Sequence, residues 1–174
     1  MCIPEKMKKI AIFGVSGTGK TSIAQLLAAE IGIPLRSCGT EIKSVAKALG
    51  VTITALSDEI HAAIDAETIT WTDSQQSCII EGRFLNDVLY PLEPSIFFVK
   101  LVTSPEVRRK RLENRGNVSL SDADFLAIDM IDEEFCRRNY KILCEVHVDS
   151  EIDTTLLSVQ ECVQKIKAML KPNQ

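Results

Sequence analysis

Two kinds of hydrophobic pattern alternate along the 174-residue chain. Short continuous apolar runs predict buried β-strands, and longer segments with apolar residues every three or four positions predict helices. Strands that alternate with helices in this way indicate a parallel α/β sheet. The predicted strands are residues 9–13, 35–37, 78–80, 96–102 and 146–148. The predicted helices cover approximately residues 20–31, 39–49, 54–71, 105–115, 125–143 and 154–170.

Glycine and proline residues mark the ends of several of these elements. Gly32 and Gly50 end the first two helices, as glycines commonly do. Pro105 suits the first turn of a later helix, and Gly116 closes that helix. The polar segment 117–124 predicts a loop. The last helix carries an apolar stripe at helical spacing, which consists of Leu156, Val159, Val163, Ile166 and Leu170.

The segment between the first strand and the first helix reads Gly-Val-Ser-Gly-Thr-Gly-Lys-Thr at residues 14–21. It fits the phosphate-binding pattern G-x-x-x-x-G-K-S/T and has the flanking strand and helix that this motif requires. Its glycines let the backbone wrap an anion, toward which loop N–H groups and the helix N-terminus point. The alternative is an ordinary glycine turn. The predicted nucleotide-binding residues of this phosphate loop are Gly14, Ser16, Gly17, Thr18, Gly19, Lys20, Thr21 and Ser22.

Lys20 and Thr21 supply the side-chain chemistry of the phosphate loop. A lysine at this position reaches the β- and γ-phosphates of a nucleoside triphosphate, and the hydroxyl beside it ligates Mg²⁺. We therefore predict that the chain binds a nucleoside triphosphate together with Mg²⁺.

The composition, with 45% apolar and 25% charged residues, is ordinary for a globular protein of one domain. The net charge of −4 provides no basic field for nucleic acid. Six cysteines are scattered without a C-x-x-C pair or a secretory signal, which favours free thiols in a reduced compartment. No apolar run reaches membrane length. We expect a cytoplasmic monomer whose partners are small molecules, and neither nucleic acid nor a membrane.

Glu81 and Arg83 follow the apolar run at 78–80. Because ligands bind at the carboxyl ends of parallel strands, Glu81 is a candidate for the Mg²⁺ and water shell. Arg83 offers a planar fork that matches phosphate oxygens. The alternatives are a solvated loop acid for Glu81 and, for Arg83, a surface arginine paired with Asp87.

Arg108, Arg111 and Arg115 are spaced three and four residues apart, so that they share one helix face. Residues 104–116 carry five basic and two acidic side chains, a net charge of +3 (5 − 2) in an acidic chain. Arginines beside a phosphate loop are able to cover the transferring phosphoryl group, whose charge spreads over its oxygens. The alternative is a solvated charged face.

Several other candidates are weaker. Arg137 and Arg138 either face the same loop or pair with glutamates four residues earlier. His61 and His147 have no metal-ligand partners at useful spacing. Trp71 ends a predicted helix and is assigned to packing.

A series of short segments shares the pattern of one protein family. They are Ser37-Cys38-Gly39 with Lys43 and Ala46; Ile64-Asp65; Glu81-Gly82-Arg83-Phe84-Leu85; Pro105-Glu106-Val107-Arg108 with Arg111 and Arg115; and Arg138-Asn139-Tyr140 followed by Val148-Asp149-Ser150. In that order they resemble the short, archaeal-type cytidylate kinases of the nucleoside monophosphate kinase group, from about residue 8 to residue 168. None of these residues is specific for cytosine.

The resemblance implies the three-layer α/β sandwich of P-loop NTPases, with a five-stranded parallel sheet in the order 2-3-1-4-5. It also implies a helical monophosphate-binding insertion at about 38–72 and a small lid at about 112–130. The implied reaction transfers the γ-phosphoryl group of ATP to CMP or dCMP.

The same resemblance assigns roles by position. Thr21 and Glu81 fall at the metal. The implied substrate-binding residues are Ser37, Gly39, Lys43, Asp65 and Arg83. The implied catalytic residues are Lys20, Arg83, Arg111, Arg115 and Arg138.

Three positions depart from the family pattern. Lys43 replaces an arginine, Thr40 replaces an acid, and Ile131 replaces a lid arginine. Lysine keeps the charge but loses the bidentate fork. These departures leave open a kinase for another small acceptor, such as shikimate, or a nucleotide-binding module with little turnover. A GTPase is excluded because the chain lacks N-K-x-D and D-x-x-G segments.

Overall fold

The computed structural model describes residues 9–139 and 148–170, with residues 132 and 135–139 as backbone only. Strands and helices alternate, as the hydrophobic pattern predicts. The strands are β1 Lys9–Phe13, β2 Leu35–Ser37, β3 Cys78–Gly82, β4 Phe97–Val102 and β5 Ser150–Asp153. The helices are α1 Lys20–Ile31, α2 Cys38–Leu49, α3 Asp58–Ser74, α4 Leu85–Val88, α5 Pro105–Gly116, α6 Asp122–Asn139 and α7 Val159–Met169, with single 3₁₀ turns at Ile53–Ala55 and Tyr90–Leu92.

The five strands form one parallel sheet in the order β2-β3-β1-β4-β5, which confirms the predicted order. β1 is the central strand, and its Ile12 lies opposite Glu81 of β3 on one side and Val99 of β4 on the other. Because the phosphate loop follows β1 directly, the loop and Glu81 meet at the carboxyl edge of the sheet, where ligands of such sheets bind.

The sheet is covered on both faces, so the fold is a three-layer sandwich. On one face, Ile10 and Ile12 of β1 pack against α1 and α7 in a single apolar cluster. On the other face, Ala11 and Phe13 pack with α4 and with Phe98 of β4. The alternation of these side chains along β1 is what a strand buried on both faces requires. The core therefore holds β1, and with it the start of the phosphate loop, rigidly in place.

The fifth strand differs from its prediction. The expected strand at 146–148 lies largely outside the described residues, and β5 is Ser150–Asp153, paired with Val99–Val102 of β4. β5 is an edge strand in which only Ile152 is buried, so its sequence has a single apolar residue and no apolar run. An edge strand that faces solvent does not need a continuous apolar sequence.

The start of the last helix was also predicted too early. Ser158 caps α7 in a capping box with Glu161, each side chain bonding to the other residue's backbone. This S-x-x-E signal fixes the start at Val159. Leu156 therefore lies in the preceding loop with 93% of its surface exposed, outside the predicted apolar stripe.

Three smaller differences concern helix ends. α3 begins at Asp58 and runs to Ser74, later at both ends than predicted. Gly116 is the last residue of α5, and the residue that caps this helix in the left-handed conformation is Asn117, with φ 49°. α6 begins at Asp122, within the segment predicted as a loop. None of the described helices is long and apolar enough to cross a membrane.

Candidate functional site

The phosphate loop leaves β1 in a conformation that glycine alone adopts easily. Gly14, Gly17 and Gly19 have positive φ angles of 145°, 89° and 92°. A Cβ at Gly14 would collide with the carbonyl oxygen of Leu101, and one at Gly17 would lie 3.1 Å from the carbonyl oxygen of Arg108. The loop thus passes close to β4 and α5, and larger residues at these two positions would displace it.

Four consecutive carbonyl oxygens of the loop, Val15 to Thr18, are bonded to side chains. Since the N–H of the next residue lies trans to each carbonyl group, fixing these oxygens fixes the direction of the following N–H groups. The Val15 oxygen accepts hydrogen bonds from Lys20 Nζ at 2.8 Å and from Thr18 Oγ1 at 2.9 Å. The Ser16 oxygen accepts one from Arg108 Nε at 2.9 Å, and the Gly17 oxygen accepts one from Arg111 Nη1 at 3.4 Å. The Thr18 oxygen accepts one from Thr154 Oγ1 at 3.0 Å.

A cleft of about 1210 Å³ opens at the carboxyl edge of the sheet. It brings together most of the residues that the sequence predicts for the site. From the phosphate loop and the start of α1 these are Ser16, Gly17, Thr18, Gly19, Lys20, Thr21 and Ser22, and from other elements Gly39, Lys43, Asp65, Glu81, Arg83, Arg111 and Arg115. Gly14 and Ser37 do not line the cleft, and the side chain of Arg138 lies outside the described residues.

Glu81 sits at the end of β3 with 2% of its surface exposed. Its Oε1 accepts a hydrogen bond from the Thr21 hydroxyl at 3.1 Å and another from the Ser37 hydroxyl. Thr21 belongs to the phosphate loop, whereas Ser37 caps α2, where its oxygen accepts the Thr40 N–H at 3.3 Å. One buried carboxylate therefore links the phosphate loop to the start of α2, and Glu81 is not the solvated loop acid.

Thr21 and Glu81 place a hydroxyl and a carboxylate side by side, and oxygen donors of this kind suit Mg²⁺. The described residues contain no group of three or more His, Cys, Asp and Glu side chains able to hold a metal ion by themselves. Mg²⁺ usually keeps several waters and binds through one or two protein ligands plus substrate phosphates.

Arg83 follows β3 and is half-buried in the wall of the cleft, with its guanidinium 5.7 Å from the centre of the Phe84 ring. Lys43 reaches the cleft from α2, where it is exposed, and Asp65 reaches it from α3. A cationic pair and a carboxylate thus face the same space from three elements. This arrangement can bind an anionic group and a hydrogen-bond donor together.

The arginines of α5 do not act as one face. Arg108 is 6% exposed, and its guanidinium bonds Asp129 of α6 at 2.5 and 2.9 Å while lying 5.2 Å from the Phe125 ring. Arg111 is half-buried beneath the phosphate loop, and Arg115 is exposed at the cleft. Arg108 therefore supports the loop and α6, and it fits neither the interpretation that these arginines cover a phosphoryl group nor the alternative of a solvated charged face.

Sequence reasoning gave no site role to several polar residues of the cleft, among them His61 and Thr154. His61 lies one turn before Asp65 on α3, and this i, i+4 spacing was the available signal. Thr154 follows β5 directly, but the sequence prediction placed this strand too early, so Thr154 was not expected to lie at a strand end. The Cys38 thiol also lines the cleft, and burial raises its pKa to about 12, so it stays protonated at neutral pH.

Comparison with known proteins agrees with this geometry. A family model described as an AAA domain matches residues 10–135. A cytidylate kinase of Pyrobaculum arsenaticum is 28% identical, covering 91% of this chain and 90% of its own, and one of Fervidobacterium nodosum is 29% identical, covering 94% and 96%. A solved shikimate kinase from Acinetobacter baumannii superposes with a TM-score of 0.67 at 19% identity, covering 95% of this chain and 94% of that one. The last likeness is one of fold.

Proposed function

The chain belongs to the AAA domain family and is a nucleotide-dependent kinase, and we propose that it transfers the γ-phosphoryl group of ATP to CMP or dCMP. The observation that carries the proposal is the position of Glu81, which bonds Thr21 of the phosphate loop and Ser37 at the start of α2. A donor on the loop and an acceptor beside α2 would place their phosphates on either side of this carboxylate.

The donor half of the proposed site is the phosphate loop. The loop N–H groups and the N-terminus of α1 would bind the β- and γ-phosphates of ATP, and Lys20 would move from the Val15 carbonyl oxygen to a phosphate oxygen. When bound at Thr21 and Glu81, Mg²⁺ supplies neutralisation of the charge on these phosphates.

The acceptor half consists of Ser37, Gly39, Lys43, Asp65 and Arg83. Arg83 would hold the acceptor phosphate through two parallel hydrogen bonds, and Lys43 would add charge without that geometry. An oxygen of this phosphate attacks the γ-phosphorus, and the bond between that phosphorus and the bridging oxygen to the β-phosphate breaks. The products are ADP and the nucleoside diphosphate. Because the attacking group is already an anion, the residues need to position and neutralise and not to remove a proton.

We assign Arg111, Arg115 and Arg138 to the charge that spreads over the transferring group. Residues 38–72 form the proposed acceptor insertion, and residues 112–130 form a lid that closes when both substrates are bound. Closure would exclude water and so prevent simple hydrolysis of ATP. Ile131 follows this segment and lines the cleft. It stands where the cytidylate kinases that the chain resembles have an arginine, so this part of the cleft would be less cationic than in those enzymes.

The test is a screen of ADP release with Mg²⁺ and ATP against the eight common ribo- and deoxyribonucleoside monophosphates, shikimate and gluconate. We expect CMP or dCMP to give the highest kcat/KM. Turnover with shikimate or gluconate alone would assign the chain to the alternative class of small-acceptor kinases. Binding of ATP without turnover of any acceptor would instead favour a nucleotide-binding module. The departures from the family pattern at Thr40, Lys43 and Ile131 would then be the first candidates to explain the loss of activity.

A further inference from the structure

Thr154 follows β5 directly, and its side chain reaches the phosphate loop from below. The residue is 1% exposed. Its hydroxyl donates to the carbonyl oxygen of Thr18 at 3.0 Å, although the two residues are far apart in the sequence. This contact joins the edge of the sheet to the loop that the proposed function assigns to ATP.

The hydrogen bonds of Thr154 are complete. A hydroxyl has one hydrogen and two lone pairs. The hydrogen goes to Thr18, so the oxygen accepts from Arg111 Nη1 at 2.9 Å and from the Thr103 hydroxyl at 2.6 Å. Arg111 Nη2 also donates to the Thr154 carbonyl oxygen at 2.8 Å. Both oxygens of Thr154 thus hold one guanidinium group, which is a bidentate arrangement.

Arg111 in turn lies against the glycines of the loop. Its Nη1 approaches the Gly17 carbonyl oxygen at 3.4 Å and would lie 3.9 Å from a Cβ at Gly19. Glycine permits more than one backbone orientation, so the loop conformation at Gly17 and Gly19 depends on bonds from outside. Thr154 supplies one of these bonds directly, to Thr18, and fixes the arginine that supplies another.

We propose that Thr154 is a positioning residue for the phosphate loop: it holds the Thr18 carbonyl group and Arg111 so that the loop N–H groups face the polyphosphate of the bound nucleotide. The inference rests on nucleotide binding within the proposed function and not on the identity of the acceptor. Thr154 acts through the loop and through Arg111, and it need not touch the substrate.

The test compares Thr154→Val with Thr154→Ser, which keeps the hydroxyl. Binding of ATP and of inorganic tripolyphosphate, each with Mg²⁺, is measured by calorimetry. The valine variant leaves buried polar groups without a partner, so both affinities should fall at least about tenfold, and the serine variant should restore both. Amide hydrogen exchange of residues 15–20 should rise in the valine variant alone. The control is Thr72→Val, because the Thr72 hydroxyl is buried without a partner among the described residues and does not line the cleft.

Each other outcome overturns the proposal. A loss for ATP but not for tripolyphosphate would place the effect at the nucleoside and not at the phosphate loop. Unchanged binding by the valine variant, or a serine variant as weak as valine, would show that the hydroxyl does not position the loop. Should Thr154→Val fail to fold, Thr154→Ala against Thr154→Ser gives the same comparison. These binding and exchange measurements contain no acceptor. They therefore remain valid tests of Thr154 even if the proposal of CMP as the acceptor fails.

Discussion

The half of the cleft around the phosphate loop is built mainly from backbone, whereas the half that faces α2 and α3 is built from side chains. Four successive carbonyl oxygens of the loop are bonded to side chains from α1, α5 and the segment after β5. On the other side, Lys43, Asp65 and Arg83 project into the cleft from three separate elements.

We propose that this difference separates recognition of the phosphate donor from recognition of the acceptor. A backbone nest recognises the polyphosphate of any nucleoside triphosphate, and it tolerates few substitutions because glycines shape it. Side chains on α2 and α3 can change one at a time, and each change alters the acceptor. The fold, which is shared with a shikimate kinase at 19% identity, does not by itself determine the acceptor. The predictions below test that division.

Lys20→Ala should have the largest effect, because Lys20 is the one loop side chain assigned to the transferring phosphates. We expect kcat/KM to fall by about 10³-fold, with weaker binding of ATP and a slower chemical step together. Steady-state kinetics and ATP titration check this. Lys47→Ala, on α2 and outside the cleft lining, is the matched control. A variant that kept its kcat would remove Lys20 from the chemistry.

Arg83→Ala should act on the other half of the cleft. We expect the KM of the acceptor to rise and kcat/KM to fall by roughly 2–4 kcal/mol in transition-state terms, while ATP affinity stays within a few-fold. Lys100→Ala is the control, since Lys100 pairs with Glu151 and does not line the cleft. Loss of ATP binding in a well-folded Arg83 variant would show that Arg83 also serves the donor, which contradicts the division of the cleft into two halves. No effect at all would make Arg83 a surface arginine.

How much of this arrangement the sequence predicts depends on the kind of interaction. The motif at 14–21 predicts the loop because its glycines have one steric purpose, and the apolar runs predict the buried strands. The order of the strands in the sheet was implied by the family resemblance. β5 was predicted at the wrong residues because an edge strand needs no continuous apolar run. Arg108 was a candidate for phosphate contact because it shares a helix face with Arg111 and Arg115, whereas in the fold it bonds Asp129 and the Ser16 carbonyl oxygen. Helical spacing shows which residues share a face but not which distant partner each will meet.

Thr154 illustrates the same limit. Its partners Thr18, Thr103 and Arg111 come from three distant parts of the chain, and a single threonine after an edge strand carries no local pattern. His61 is the opposite case, because its spacing from Asp65 was visible. Thr154 could be found only from the tertiary structure. His61 could have been found from the sequence if a histidine had been considered for a role other than metal binding.

The proposed lid, residues 112–130, should show a smaller effect, which is a change in hydrogen exchange and not in a kinetic constant. Residues 112–130 connect Arg115, which is exposed, to the segment of α6 that Arg108 holds through Asp129. We expect hydrogen exchange across this range to slow in the presence of a bisubstrate analogue, and to slow much less with ATP or CMP alone. The free protein serves as the reference. Equal exchange in all four states would mean that the two halves of the cleft do not close on each other through this segment.

The smallest expected effect concerns Asp87, which lies on α4, the short helix that follows Arg83 in the chain. Burial raises its pKa from 3.8 to about 6, and its Oδ1 is buried without a partner among the described residues. Between these pH values the folded state binds more protons than the unfolded state, so this group's contribution to stability falls as the pH rises. Because the side chain is partly solvated, we expect Asp87→Asn to gain about 1 kcal/mol over the unchanged protein at pH 7 and little at pH 4.

Urea unfolding of the unchanged protein and of Asp87→Asn at pH 4 and pH 7 measures this difference. Asp73→Asn, which removes an exposed carboxylate from α3, is the matched control for the loss of one negative charge. A larger gain for Asp87→Asn at pH 4 than at pH 7 would reverse the sign and show that the ionised carboxylate is stabilised in the fold. Arg83 would then be its partner, as the alternative interpretation of the sequence proposed. The cationic character of the acceptor half would in that case be partly neutralised before any substrate binds.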